Sequence, residues 1–119
     1  MTQTISYKEV KRLVDSKGKS KYVLIDVRKK EELKHGMIPT AVNIPMSELI
    51  EAFALSDKEF HDKYGIEKPH KKANLIFYCR TGNRSQKATD EFVNRGYKAK
   101  NFFGSVLEWS KHDSSVNMY

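Results

Sequence analysis

The 119-residue sequence holds one cysteine, three prolines and one tryptophan. A single cysteine, Cys79, excludes an internal disulfide and fits a reducing compartment. No apolar run approaches the roughly 20 residues that a membrane-crossing helix needs, so no membrane partner is expected. Met1 to Ile5 shows neither a charged-then-apolar signal nor an Arg-rich amphipathic presequence, and the expected location is the cytoplasm. Internal repeats and low-complexity segments are missing. His35, His61, His70 and His112 are scattered without the spacing of metal ligands. Neither a metal nor a cofactor is expected, and no histidine is placed to pair with Cys79.

What the chain does have is positive charge. Lysine and arginine number 22 against 15 acidic residues, a formal net charge of +7. The basic residues are dispersed, with runs at Lys17 to Lys21, Arg28 to Lys30 and Lys71-Lys72 that fall in apparent loops. No aromatic interleaving accompanies them, which points away from nucleic acid. A basic field that attracts small anions is the expected consequence. The length suits one domain, read as residues 1–112, followed by a polar tail at 113–119 that is expected to fray. The chain leaves the oligomeric state open, with a monomer favoured.

Periodicity places the elements. Ser6 to Glu9 has the form of a capping box, and Val10, Leu13 and Val14 follow at helical spacing, predicting a helix over 7–15. Tyr22 to Val27 is a short apolar, β-branched run and reads as a buried strand. A short helix over 29–34 is expected next, then a strand at Ala41 to Ile44 and a helix capped by Ser47 that runs through Phe53. Ser56 to Glu59 is a second capping box, opening a helix that Gly65 ends. Leu75 to Tyr78 is a third strand and leads directly into Cys79. A helix over 85–94, with Ala88, Phe92 and Val93 inward, a strand at 99–103 and a helix over 105–111 complete the chain. Alternating strands and helices predict an α/β fold with a central, mostly parallel sheet. In such sheets ligands gather at the carboxyl ends of strands, which is where Cys79 falls.

Cys79-Arg80-Thr81-Gly82-Asn83-Arg84-Ser85 therefore joins a strand to a helix. A tight loop in that place turns successive N–H groups inward, forming an anion-binding nest, and the helix N-terminus adds up to about 2 kcal/mol in favour of a nearby negative charge. Gly82 permits backbone conformations that other residues resist. Arg80 and Arg84 contribute permanent charge and forked donors. A thiol in this setting is expected to ionise at neutral pH and act as a nucleophile. Thr81 and Asn83 are expected to brace the loop, and Ser85 to cap the helix or, less simply, to reach the sulfur. Two chemistries suit such a loop. Phosphatase-type loops place an arginine six positions after the cysteine, but Ser85 stands there. Arg84 closes a smaller ring, better matched to a nucleophile that carries one additional sulfur than to one that meets a phosphoryl group.

Four blocks carry a family resemblance over nearly the whole chain. Leu24 to Arg28 with Glu31-Glu32, Gly36 to Pro45, Cys79 to Arg84, and Gly104 to Trp109 together resemble single-domain rhodaneses, the thiosulfate sulfurtransferases. The stretch from Ser47 to Pro69 is similar to the small animal thiosulfate–glutathione sulfurtransferases and to an insect heat-shock-locus relative. Met37 and Thr40 depart from the family's usual His and Gly, at positions read as structural. The resemblance implies a rhodanese-like sheet flanked by helices on both faces. It implies Cys79 as the catalytic nucleophile, forming a persulfide with sulfur from thiosulfate and passing it to a thiol such as glutathione, or to cyanide. Arg80, Thr81, Gly82, Asn83, Arg84 and Ser85 are the implied substrate-binding residues. Asp26 and Arg28 are implied as a structural brace beside the site. A persulfide carrier that docks a partner protein is the alternative, and a Cys-loop phosphatase or arsenate reductase a more distant one.

Overall fold

The computed structural model describes residues 3–119. Five strands form one sheet: β1 (Thr4–Ile5), β2 (Val23–Asp26), β3 (Val42–Asn43), β4 (Asn74–Tyr78) and β5 (Lys98–Phe102). Their order across the sheet is β1-β5-β4-β2-β3, and every pairing among the described residues is parallel. Parallel strands need crossover connections, and helices supply them. The helices are α1 (Tyr7–Asp15), α2 (Leu49–Ala54), α3 (Asp57–Tyr64), α4 (Asn83–Asn94) and α5 (Ser105–Trp109).

Alternation along the central strands divides the core in two. In β4 and just beyond it, Leu75, Phe77 and Cys79 enter one buried cluster together with Ala52, Phe60, Ala88 and Phe92 from α2, α3 and α4. Ile76 and Tyr78 point the other way, into a cluster with Val10 of α1 and Val106 and Trp109 of α5. Successive side chains on a strand face opposite sides, and a sheet covered on both faces needs apolar residues at every position. That is why the strand sequences look continuously apolar. Trp109 is 2% exposed and edge-on to Tyr7 at 5.3 Å, a packing residue rather than a binding platform.

Several boundaries depart from the sequence expectation. β1 was not anticipated; two residues are too few to show a pattern, and it forms because Asn101 N–H donates to the Gln3 carbonyl at 2.8 Å alongside the β5 pairing. Ser47 does not cap α2. It lies within a 3-10 turn, Met46–Glu48, whose start is pinned to the sheet by Met46 N–H on the Val27 carbonyl. The segment after β2 is likewise a 3-10 turn, Lys30–His35. Val93 is not an inward residue of α4: Ser85, Ala88, Thr89 and Phe92 form the buried stripe at helical spacing, and Val93 is 36% exposed. Thr40 adopts φ 74°, the conformation that a glycine takes without strain.

The tail is not frayed. Val116 is 1% exposed and packs in the α1/α5 cluster. Gly36, at φ +100°, makes room for it, since a Cβ there would stand 2.2 Å from the Ser115 carbonyl oxygen. Asn117 N–H donates to the His35 carbonyl at 2.8 Å, and Tyr119 stacks on the His35 ring with centroids 4.0 Å apart. The tail's polar composition hides these two anchors, Val116 and Tyr119.

Candidate active site

Cys79 follows β4 on the face covered by α4, and it is 1% exposed. Its Sγ accepts the Gly82 N–H at 3.1 Å and the Ser85 hydroxyl at 3.4 Å. The turn that delivers the Gly82 N–H needs φ +94°, and a Cβ there would meet the Phe103 carbonyl oxygen at 2.3 Å. Glycine is therefore required both for the backbone angle and for the close approach. Burial pushes the Cys79 thiol up, but the Ser85 hydroxyl and the N–H groups of Ser85, Gly82 and Thr81 together outweigh it, leaving the thiol below its ordinary value. Hydrogen bonding to the charged form carries the shift; the inward N–H groups were expected to contribute, and the Ser85 hydroxyl adds to them.

The far side of the loop is held by α5. Val106 N–H donates to the Cys79 carbonyl at 3.1 Å and Leu107 N–H to the Arg80 carbonyl at 3.0 Å. Ser105, held at φ 53°, accepts the Cys79 N–H at 3.1 Å on its hydroxyl and donates that hydroxyl to the Phe102 carbonyl at 2.8 Å. Asn101 donates to the Gly82 carbonyl at 3.2 Å. The loop's brace thus comes from Asn101 and Ser105, not from Thr81 and Asn83 as expected; Asn83 is an exposed first residue of α4. Ser85 is not a cap either. Gly82 occupies the cap position of α4, and the Ser85 side chain faces the sulfur.

Around this loop lies a network of charge. Arg28 and Asp26 are both fully buried and paired at 2.7 Å, and Arg28 also donates to the Gly36 carbonyl at 2.8 Å and to the Tyr119 hydroxyl at 3.2 Å. Asp26 and Arg28 therefore form a brace. Removing one partner of such a pair costs about 3–5 kcal/mol. Arg84, expected to hold an anion, makes a two-pronged pair with Glu32 at 2.6 and 2.9 Å. Glu32 also accepts the Tyr119 hydroxyl at 2.5 Å and the Lys29 N–H at 3.0 Å. The Arg84 hydrogen bonds, aided by Tyr119, hold the Glu32 carboxyl down at about 2 against the opposing effect of burial. Arg80 is half-buried, with its guanidinium 4.9 Å from the centroid of the Tyr119 ring. Glu32, Tyr119, Ser105 and Asn101 are the site residues that the sequence reading missed. Nothing local announces them, because each meets the loop from a distant segment.

A cavity of about 570 Å³ away from this loop lies at the amino ends of β2, β4 and β5, lined by Lys21, Asn74 and Lys98 among others. That is the end opposite Cys79. No helix among the described residues is long and apolar enough to cross a membrane.

Residues 6–112 match the family model described as a rhodanese-like domain. A fission-yeast protein named putative thiosulfate sulfurtransferase, mitochondrial, is 47% identical over 94 residues, covering 78% of this chain and 66% of its own length. The human thiosulfate:glutathione sulfurtransferase is 38% identical over 113 residues, covering 93% of this chain and 96% of its own. The solved structure of the human single-domain sulfurtransferase TSTD1 superposes with a TM-score of 0.85 at 36% identity, covering 95% of this chain and 99% of that one.

Proposed function

Because this chain belongs to the rhodanese-like domain family, we propose that it is a sulfurtransferase that moves the outer sulfur of thiosulfate through a Cys79 persulfide to a thiol, with glutathione as the acceptor. The observation that carries the reading is the Cys79 sulfur, lowered in pKa and surrounded by donors that point at it. Such a sulfur is suited to act as a nucleophile, with the dipoles that stabilise its thiolate already in place.

The reaction runs in two displacements. The Cys79 thiolate attacks the outer sulfur of thiosulfate and forms an S–S bond. The bond between the two thiosulfate sulfurs breaks, and sulfite leaves with its electron pair. The terminal sulfur of the persulfide takes up the negative charge, within reach of the same loop N–H groups. An acceptor thiolate then attacks that terminal sulfur, and the electrons return to Cys79. No outside oxidant or reductant is needed, and splitting the transfer in this way is nucleophilic catalysis. The loop's arginines supply the positive field for the sulfonate end, and Thr81, Gly82 and Ser85 supply donors to the sulfur. The choice of glutathione follows the human relative's name and its nearly full-length match; cyanide is a second acceptor. A cytoplasmic site of action belongs to the same proposal, while the fission-yeast relative is named mitochondrial.

Intact-mass measurement after incubation with thiosulfate tests the reading. The expected result is a gain of one sulfur atom, lost on adding glutathione and absent in Cys79→Ser. No gain, together with turnover of an aryl phosphate, would favour phosphoryl chemistry instead. A sulfur that is retained with glutathione but leaves for a protein thiol would favour a persulfide carrier.

A further inference from the structure

Three guanidinium groups surround the last residue of the chain. Arg28 spends its in-plane donors on Asp26, Gly36 and Tyr119. Arg84 commits both terminal nitrogens to Glu32. Arg80 differs. Among the described residues its guanidinium has no carboxylate partner, and its Nε is buried with no acceptor. What it does have is the face of the Tyr119 ring, 4.9 Å from Cζ to the centroid.

Stacking and hydrogen bonding use different parts of a guanidinium. A ring contact occupies the flat face, whereas the N–H donors point outward in the plane. An arginine held over a ring therefore keeps N–H donors free for a planar or tetrahedral oxyanion while its position is restricted. The ring that does the holding is itself fixed. Tyr119 donates its hydroxyl to Glu32 at 2.5 Å, receives a donor from Arg28 at 3.2 Å and stacks on His35 at 4.0 Å. Val116 anchors the segment behind it.

We propose that Tyr119 is a positioning residue that presents Arg80 to the anionic end of the sulfur donor, and that Arg80 rather than Arg84 is the loop's anion ligand. The proposal rests on the sulfur-transfer reading for the identity of the anion, thiosulfate. Glu32 and Arg84 then form the wall of the site, and the terminal ring sets the angle of the arginine next to the nucleophile.

Calorimetric titration of thiosulfate into Cys79→Ser protein measures anion affinity without sulfur transfer. Arg80→Ala is expected to weaken binding about tenfold, and Arg84→Ala to weaken it less. Tyr119→Leu, which removes the ring, should weaken it roughly threefold to fivefold. Tyr119→Phe keeps the ring face and loses the hydroxyl, and should stay within about twofold of the parent. In the Arg80→Ala background, Tyr119→Leu should have no further effect. With Cys79 restored, Tyr119→Leu should raise the thiosulfate KM and leave kcat unchanged, a split that general loosening of the fold does not produce.

Equal affinity in Tyr119→Leu and the parent overturns the proposal. So does a Tyr119→Phe variant as weak as Tyr119→Leu, since the hydroxyl rather than the ring would then matter. A Tyr119→Leu effect that persists without Arg80, a larger loss from Arg84→Ala than from Arg80→Ala, or no thiosulfate binding by the parent each overturns it as well. Failure of sulfur transfer itself shows separately, as the missing mass gain on Cys79 protein, and leaves the affinity ranking to decide the role of Tyr119.

Discussion

At the scale of single residues, Ser85 is the side chain that donates to the Cys79 sulfur. Its hydroxyl at 3.4 Å leads the favourable influences on the Cys79 thiolate. Ser85→Ala removes that donor while burial remains. The pH midpoint for alkylation of Cys79 by iodoacetamide is therefore expected to rise, and the rate at pH 7 to fall roughly threefold to tenfold. An unchanged midpoint would mean that the backbone N–H groups suffice. Ser85 also shows what one residue type conceals. A serine after a glycine at the start of a helix reads as a cap, and its true direction depends on Gly82 taking the cap position at φ +94°. Cys79 and Gly82 were legible because their setting depends on close sequence neighbours. Asn101, Ser105 and Glu32 were not, because a partner 19, 26 or 52 positions away leaves no mark on local spacing.

At the scale of elements, the strand-loop-helix unit is held from behind by another helix start. The first turn of α5 supplies N–H groups to the Cys79 and Arg80 carbonyls, and Ser105 accepts the Cys79 N–H. Ser105→Ala leaves that buried N–H without a partner, which costs about 1–3 kcal/mol. The expected result is a denaturation midpoint lowered accordingly, with sulfur transfer reduced as the loop loosens; a midpoint equal to the parent's would show that water takes over the contact. The longer elements were legible from their patterns. The capping box at Ser56 opens α3 as expected, with Ser56 and Glu59 each bonded to the other's backbone, and Gly65 closes it in the left-handed region. The short pieces were not. β1 depends on its pairing with β5, and the 3-10 turns on contacts with distant segments, and two to six residues are too few for a period to show.

At the scale of the whole molecule, Glu32 ties three distant segments together. It holds Arg84 of α4, the Tyr119 hydroxyl of the tail and the Lys29 N–H of the turn after β2. Its carboxyl is depressed to about 2 from an ordinary value of 4.5. A depressed carboxylate contributes stability that is fully present above its unfolded value and is lost as pH falls through the folded one. The stability that Glu32 supplies should therefore decline from about pH 4.5 toward pH 2. In chemical denaturation at a series of pH values, Glu32→Gln should lower stability at pH 7 and flatten the slope across that window. An equal slope in both proteins would assign the acid sensitivity to other carboxylates, such as Asp113, whose carboxyl is also held down, chiefly by the Ser115 hydroxyl.

The pairing of β1 with β5 sets an order in time. Thr4 lies opposite Asn101, so this edge of the sheet joins positions 97 apart in the chain. Contacts that span most of a chain carry a large loop-closure cost and are slow to form. The β2-β4-β5 centre, with α4 against it, has the shorter crossings and is the expected nucleus. The segments carrying β1 and Tyr119 are expected to dock onto it afterwards, one completing the sheet and the other reaching the rim of the Cys79 loop. The scaffold around Cys79 is thus expected to mature before Tyr119 reaches Arg80 and Glu32.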